Sequence, residues 1–298
     1  MIQFSRRAIP ALAEDHLARL TGLYQLQIGK RRARLIAGLV IGAVLVLISG
    51  WLAEVKPATF FLNLGNFGSY LGRTAPVLNW ATLPTDIGEW FWGIGKWGKL
   101  LGETLLIAYL GTFIGAIVAF FICFYASANI NCNAATRFAA RRVLEFCRTV
   151  PDIVFALIFV IAFGLGPMAG VLALTIHTVG ALGKLFAEVV ENIDMRPLEG
   201  VEASGASRVQ TVRFAVLPQV WSGFTSYALL RFEINVRGAG VMGFVGAGGI
   251  GQEFLVAIRN FYYTDVSAIL LMIIATVITI DLVTERVRHR IIGFGERS

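Results

Sequence analysis

The sequence predicts an all-α integral membrane protein with six transmembrane helices, and three observations carry that prediction. Of 298 residues, 56% are hydrophobic and 15% charged, with a mean hydropathy of +0.71, whereas soluble domains are about 25% charged. Long uncharged runs recur along the chain. Basic residues concentrate between alternate runs. Backbone left unpaired in lipid is too costly for open sheets or exposed loops, so the spans must be helices.

Residues 1–34 form a polar, basic arm. Leu12, Leu17, Leu20 and Leu23 give Pro10–Leu26 the spacing of a surface helix, and Lys30, Arg31, Arg32 and Arg34 abut the first span as a topological anchor. Leu35–Ala53 is uncharged and long enough to cross about 30 Å of hydrocarbon. Residues 54–99 hold Pro57, Pro76, Pro84 and many aromatics. Asp86 and Glu89 suit a helix start, and Trp90, Ile94, Trp97 and Leu101 then repeat at helical spacing. This predicts one interfacial helix anchored by indole rings, in preference to a stacking platform. Further spans follow at Leu101–Ala126, Asp152–Leu165, Met168–Phe186, Val220–Arg237 and Val266–Leu282. The chain thus divides into the arm (1–34), a first span with its outer segment (35–99), a core (100–285) and a tail (286–298).

Charge sets the orientation. The arm, the loop 127–148, the segment 196–218, Lys184 and the tail hold 19 of the 26 Lys and Arg. The positive-inside rule places these, and both termini, in the cytoplasm. The net charge of +7 is therefore topological, and nucleic acid is not an expected partner. Cys123, Cys132 and Cys147 show neither disulfide nor zinc spacing. No cleavable signal peptide is expected. No nucleophile–base or metal set is visible, with His16, His177 and His289 scattered, so the chain itself is not expected to be an enzyme.

Charges within spans call for a reason. Lys184 and Glu188 sit at a helix end, where a structural role suffices. His177 reads as a hydrogen-bonded core residue or a proton relay. Asp281 would pair with Arg286 or face polar solvent. The fifth span carries Arg231, Glu233, Asn235 and Arg237. Glu233 and Arg237 are at i,i+4, in the favourable order, which leaves Arg231 for another partner. That partner is either an anionic solute or a helix-holding ion network. Gly238–Gly251 has seven glycines. Two G-x-G-x-x-G windows lie within it, but neither sits in a βαβ unit, so a dinucleotide site is rejected. Gly246, Gly248, Gly249 and Gly251 read as a gate or re-entrant turn, or as a helix-packing face.

Arg196–Pro218 is a charged island between the fourth and fifth spans. Pro197 suits a first helical turn. Gly205 suits a left-handed helix end. Ser207 with Gln210 makes a capping box, and Pro218 would stop or kink the second helix. Local chemistry alone leaves a polar connection and a rigid two-helix element equally open.

The spacing of Glu199, Gly205 and Leu217-Pro218 resembles the EAA loop of ABC-importer permeases. Gly200 and Val201 replace the two alanines, and Ala215 stands where isoleucine is usual. Arg148–Asp152, Gly205–Arg208, Val216–Gln219, the Arg231–Arg237 pattern and Val245–Gly251 are similar to phosphonate-type permeases, over roughly residues 100–285. The resemblance implies the type I importer permease (MetI-like) fold in a bacterial inner membrane. It implies a second permease copy as homodimer, two cytoplasmic ATPase subunits carrying ATP-Mg, and a periplasmic binding protein. Glu199, Glu202, Gly205, Ala206, Ser207, Leu217 and Pro218 would couple to the ATPase. The cargo implied is a phosphonate, phosphite or phosphate, moved by alternating access. Charge logic, separately, assigns Arg231 and Arg237, with Glu233 and Asn235, to its path. The alternatives are an amino acid or quaternary amine as cargo, or an ATP-independent carrier.

Overall fold

The computed structural model describes residues 14–77 and 79–295; residues 1–13 of the arm, Leu78 and residues 296–298 of the tail lie outside the described residues. Among the described residues the secondary structure is helical, without a strand. The chain divides into two compact units, residues 1–69 and 70–298.

In the first unit, α1 (Glu14–Leu52) is followed by α2 (Pro57–Leu62) and the beginning of α3 (Leu64–Thr74). The boundary expected at residue 34 falls inside α1. Lys and Arg are good helix formers, and no proline interrupts Glu14–Leu52, so the described part of the arm and the first span are one helix. Leu39, Val46 and Leu47 of α1 are exposed. A helix that is apolar all round matches lipid.

The second unit opens with α4 (Leu83–Trp90), and a short turn leads to α5 (Ile94–Ala126). The tryptophan stripe is therefore split between two helices, contrary to the single interfacial helix expected. Trp97 is buried, 1% exposed, among Leu101, Ile250, Val266 and Ile269. Gly93 makes room for it, since a Cβ there would lie 2.6 Å from the Trp97 ring.

Next come α6 (Ala134–Thr149), α7 (Asp152–Phe163) and α8 (Pro167–Glu191). Residues 127–148, expected as a loop, are mostly the helix α6. Asn133 caps it, its Oδ1 accepting the Ala135 N–H at 3.0 Å. Leu144 is its buried residue and seats against Gly183 of α8. Pro151 forces Val150 into extended backbone, and α6 and α7 meet at 84°. Gly164 and Gly166, with φ of +91° and +144°, turn the chain into α8.

The island begins with α9 (Met195–Ala203) and α10 (Arg208–Thr211). A π-helical turn, Val212–Val216, joins α10 to α11 (Leu217–Met242). A 3-10 turn (Gly243–Val245), α12 (Ile250–Arg259) and α13 (Tyr263–Gly295) complete the chain. Pro218 does not stop the helix. It occupies the second position of α11, where its missing N–H matters least, and the π turn ahead of it absorbs the change of register.

Among the described residues four helices are long and apolar enough to cross a membrane, and up to six spans result if each bent pair counts as one: α6 with α7, and Arg208–Val245 with α12. The central helix is α8, which packs on α5, α6, α7 and α11. Small residues allow this approach. A Cβ on Gly111 would lie 2.7 Å from Leu174 Cβ, one on Gly115 2.7 Å from Thr178 Cβ, and one on Gly180 2.6 Å from the Arg148 nitrogen.

Candidate functional site

The island is a helix–turn–helix. Asp194 caps α9, its Oδ1 accepting the Arg196 N–H at 3.1 Å. Pro197 is the third helical residue, so the helix starts two residues before the position expected. Gly205 turns the chain with φ +82°. A Cβ there would meet nothing within 4 Å, so conformation and not space demands the glycine. The Ser207 N–H donates to Gln210 Oε1 at 2.8 Å, and with the Gln210 N–H on the Ser207 side chain this forms the expected capping box. Glu199, Glu202 and Ser207 are exposed, Ala206 and Leu217 half-buried, Pro218 exposed. Val209 and Phe214 project from the same segment, 78% and 63% exposed. Beneath them Leu198, Ala215, Val216 and Val220 are buried.

Gln219 clamps the island shut and was not among the expected site residues. Its Oε1 accepts the Asp194 N–H at 3.0 Å. Its Nε2 donates to the Asp194 carbonyl at 3.2 Å and to that of Ala215 at 2.8 Å. The signal was in the Val-Leu-Pro-Gln run, but only tertiary contact shows that the amide reaches back 25 residues.

The polar residues of α11 separate into three roles. Asn235, 1% exposed, does not line an open path. Its Nδ2 donates to Thr112 Oγ1 at 2.8 Å and Thr178 Oγ1 at 2.9 Å, tying α11 to α5 and α8. Both amide protons are thereby used, because a side-chain amide has two. Arg237 donates to Glu233 and lies 3.7 Å from Asp281 of α13. Asp281 was expected to pair with Arg286 or solvent, and its cation instead comes from α11. Arg231 is different. Its Nε is buried with no hydrogen-bond partner among the described residues, a state that costs about 1–3 kcal/mol. His177 lies within electrostatic reach of Arg231, Asp152 and Arg148, and Arg231 within reach of Asp152. His177 Nδ1 lies 3.3 Å from the Val150 carbonyl, as a hydrogen-bonded core histidine should. Lys184 pairs with Glu188 at 3.5 Å.

The glycine run is a packed, non-helical bend. Gly246, Gly248 and Gly249 have φ of +84°, +85° and +79°. The Gly246 carbonyl accepts the Gly166 N–H at 2.9 Å, and the Ile250 N–H donates to Thr104 Oγ1 at 2.9 Å. A Cβ on Gly248 would lie 2.9 Å from Glu103 Oε1, and one on Gly251 would collide with the Gly240 carbonyl. The backbone turns back on itself here, and its glycines make close contact with neighbouring segments.

This six-span, doubly bent arrangement with an exposed island has known counterparts. The binding-protein-dependent transport system inner membrane component family matches residues 111–292. The chain belongs to that family. Among relatives of this transport-component chain, the phosphite transport system permease protein PtxC of Stutzerimonas stutzeri is 36% identical over 277 residues, covering 92% of this chain and 94% of that protein. The phosphate-import permease protein PhnE of Mycolicibacterium smegmatis is 35% identical over 243 residues, 82% of this chain and 43% of its own length. The fold matches the MetNI methionine ABC transporter in inward-facing conformations, with a TM-score of 0.57 at 21% identity, over 65% of this chain and 95% of that one. The fold is therefore that of a MetI-like, type I importer permease, and the chain is an inner-membrane transport component. The family match takes in the island, α11 and the glycine bend, whereas α1–α4 lie outside it.

Proposed function

We propose that this chain is the permease subunit of an ATP-driven importer that moves phosphorus oxyanions, namely phosphite, phosphonate or phosphate, inward by alternating access. The observation that carries the proposal is the sequence relation to a phosphite permease across nearly the whole chain. The island gives it a mechanism. A short helix whose polar face holds Glu199 and Glu202 docks on a cytoplasmic ATPase subunit, and Val209 and Phe214 add apolar contact. Because α10 continues into α11, a push on the island moves the helix that bears Arg231. Glu199, Glu202, Gly205, Ala206, Ser207, Leu217 and Pro218 form or shape that lever.

The assembly we propose is two permease copies, two ATPase subunits holding ATP-Mg and a periplasmic binding protein, with both termini of this chain in the cytoplasm. The chain binds no ATP itself. The test is purification and reconstitution. The protein is expected to co-purify with its ATPase and to drive phosphite uptake into vesicles only when ATP and the binding protein are present. Uptake by the permease alone, without ATP, would sink the proposal.

A further inference from the structure

We infer that Arg231, His177 and Asp152 form a transit site for an oxyanion that carries both negative charge and a P–O–H proton. This deepens the proposed function and rests on it. Arg231, Asn235 and Gly238 are spaced i, i+4 and i+7 and share one face of α11. That face turns to α8 and α7: Asn235 bonds Thr178, the neighbour of His177, and a Cβ on Gly238 would lie 3.5 Å from Asp152 Oδ2. The three groups thus surround one stretch of helix interface.

Their free valences are complementary to a protonated phosphorus oxyanion. Among the described residues Arg231 forms no ion pair with a carboxylate and its Nε has no acceptor; a guanidinium offers a fork of donors to an oxyanion. A carbonyl can only accept, so the His177 Nδ1–H donates to Val150 O. In the neutral imidazole, Nε2 is then an acceptor. Asp152 Oδ1 accepts the Ile153 N–H at 2.9 Å, and Oδ2 faces α11. One charged donor and two acceptors fit an anion with its own proton. Phosphate and phosphonates carry such a proton near neutral pH, and sulfate does not. Acceptors left without a donor penalise the unprotonated anion. The 84° break between α6 and α7 adds the first turn of α7, a half-helix N-terminus suited to an anion within a membrane protein. Arg237 and Lys184 are held by their own carboxylates and take no part.

The test uses the permease–ATPase complex in nanodiscs, with inorganic phosphate as probe. Phosphorus NMR line broadening reports binding, and ATP-driven uptake with the binding protein reports transport. Arg231→Gln is expected to lower both about tenfold, while Arg231→Lys stays within about threefold, a distinction that a packing role would not make. Asp152→Asn turns an acceptor into a donor and is expected to make sulfate, inert toward the native complex, compete with phosphate. If the native complex transports an oxyanion but phosphate is not broadened, or if Arg231→Gln matches the native protein, the inference falls and the proposed function stands. If the native complex transports no phosphorus oxyanion at all, the proposed function falls with it. Should Asp152→Asn fail to assemble with the ATPase, the Gln–Lys contrast at Arg231 decides alone.

Discussion

Asn235 shows how one polar side chain organises a membrane bundle. Thr112 gives its own proton to the Ala108 carbonyl at 2.6 Å and keeps a lone pair for Asn235. Truncation by Asn235→Ala therefore strands no Thr112 donor, but it removes two interhelical hydrogen bonds. Such bonds average about 0.6 kcal/mol in membranes, so a loss of about 1–2 kcal/mol is expected, read as a lower melting temperature of the detergent-solubilised complex. No change would mean that packing alone sets the α5–α8–α11 contact. Arg231 and Arg237 lie six residues apart on one helix and look alike in the sequence. Distance from a carboxylate separates them: Arg237 has Glu233 and Asp281, and the Nε of Arg231 has no partner among the described residues.

At the scale of elements, glycines decide how closely helices approach and where they turn. Gly115→Leu inserts side-chain atoms where a Cβ alone already comes within 2.7 Å of Thr178. The expected cost is about 3 kcal/mol, with α8 displaced from α5 and folded yield reduced. Normal yield and stability would show that the interface adapts. Gly205→Ala tests a different property. There is space for the methyl group, but φ is +82°, so the penalty is backbone strain of about 1 kcal/mol. The complex is expected to stay assembled and to hydrolyse ATP while uptake falls severalfold, because the angle between α9 and α10 sets how the lever engages. Uptake at the native level, measured beside ATP hydrolysis, would remove Gly205 from the lever.

For the whole molecule, the charge distribution predicts an orientation that one native residue can report. Cys132 is exposed in the α5–α6 connection, Cys123 is buried and Cys147 is partly covered. With Cys123→Ser and Cys147→Ser, a membrane-impermeant maleimide is expected to label Cys132 only after the inner membrane is opened. Labelling of intact spheroplasts would invert the topology. The same orientation would put the island in the cytoplasm, as the proposed coupling to an ATPase requires. Unit 70–298 carries the spans after the first, the island and the glycine bend, and within it the second helix of the island and Arg231 belong to one continuous helix, Arg208–Val245.

The sequence by itself determined the class, the apolar segments long enough to span and the turn chemistry of the island. Those follow from composition, from span length against the bilayer and from local backbone chemistry at Gly205 and Ser207, none of which needs a distant neighbour. It also marked Glu233 and Arg237 as a pair, since i,i+4 contacts are local. Only the tertiary structure decided the rest. Residues 127–148 are polar enough to pass for a loop, and become a helix because Leu144 finds Gly183 on α8. Trp97 has the pattern of an interfacial anchor, and is buried because α12 and α13 close over it. Asn235 left the path for the core when Thr112 and Thr178 met it, and Asp281 found its cation on another helix. Each of these depends on a partner dozens of residues away, and one-dimensional spacing holds no record of which faces meet.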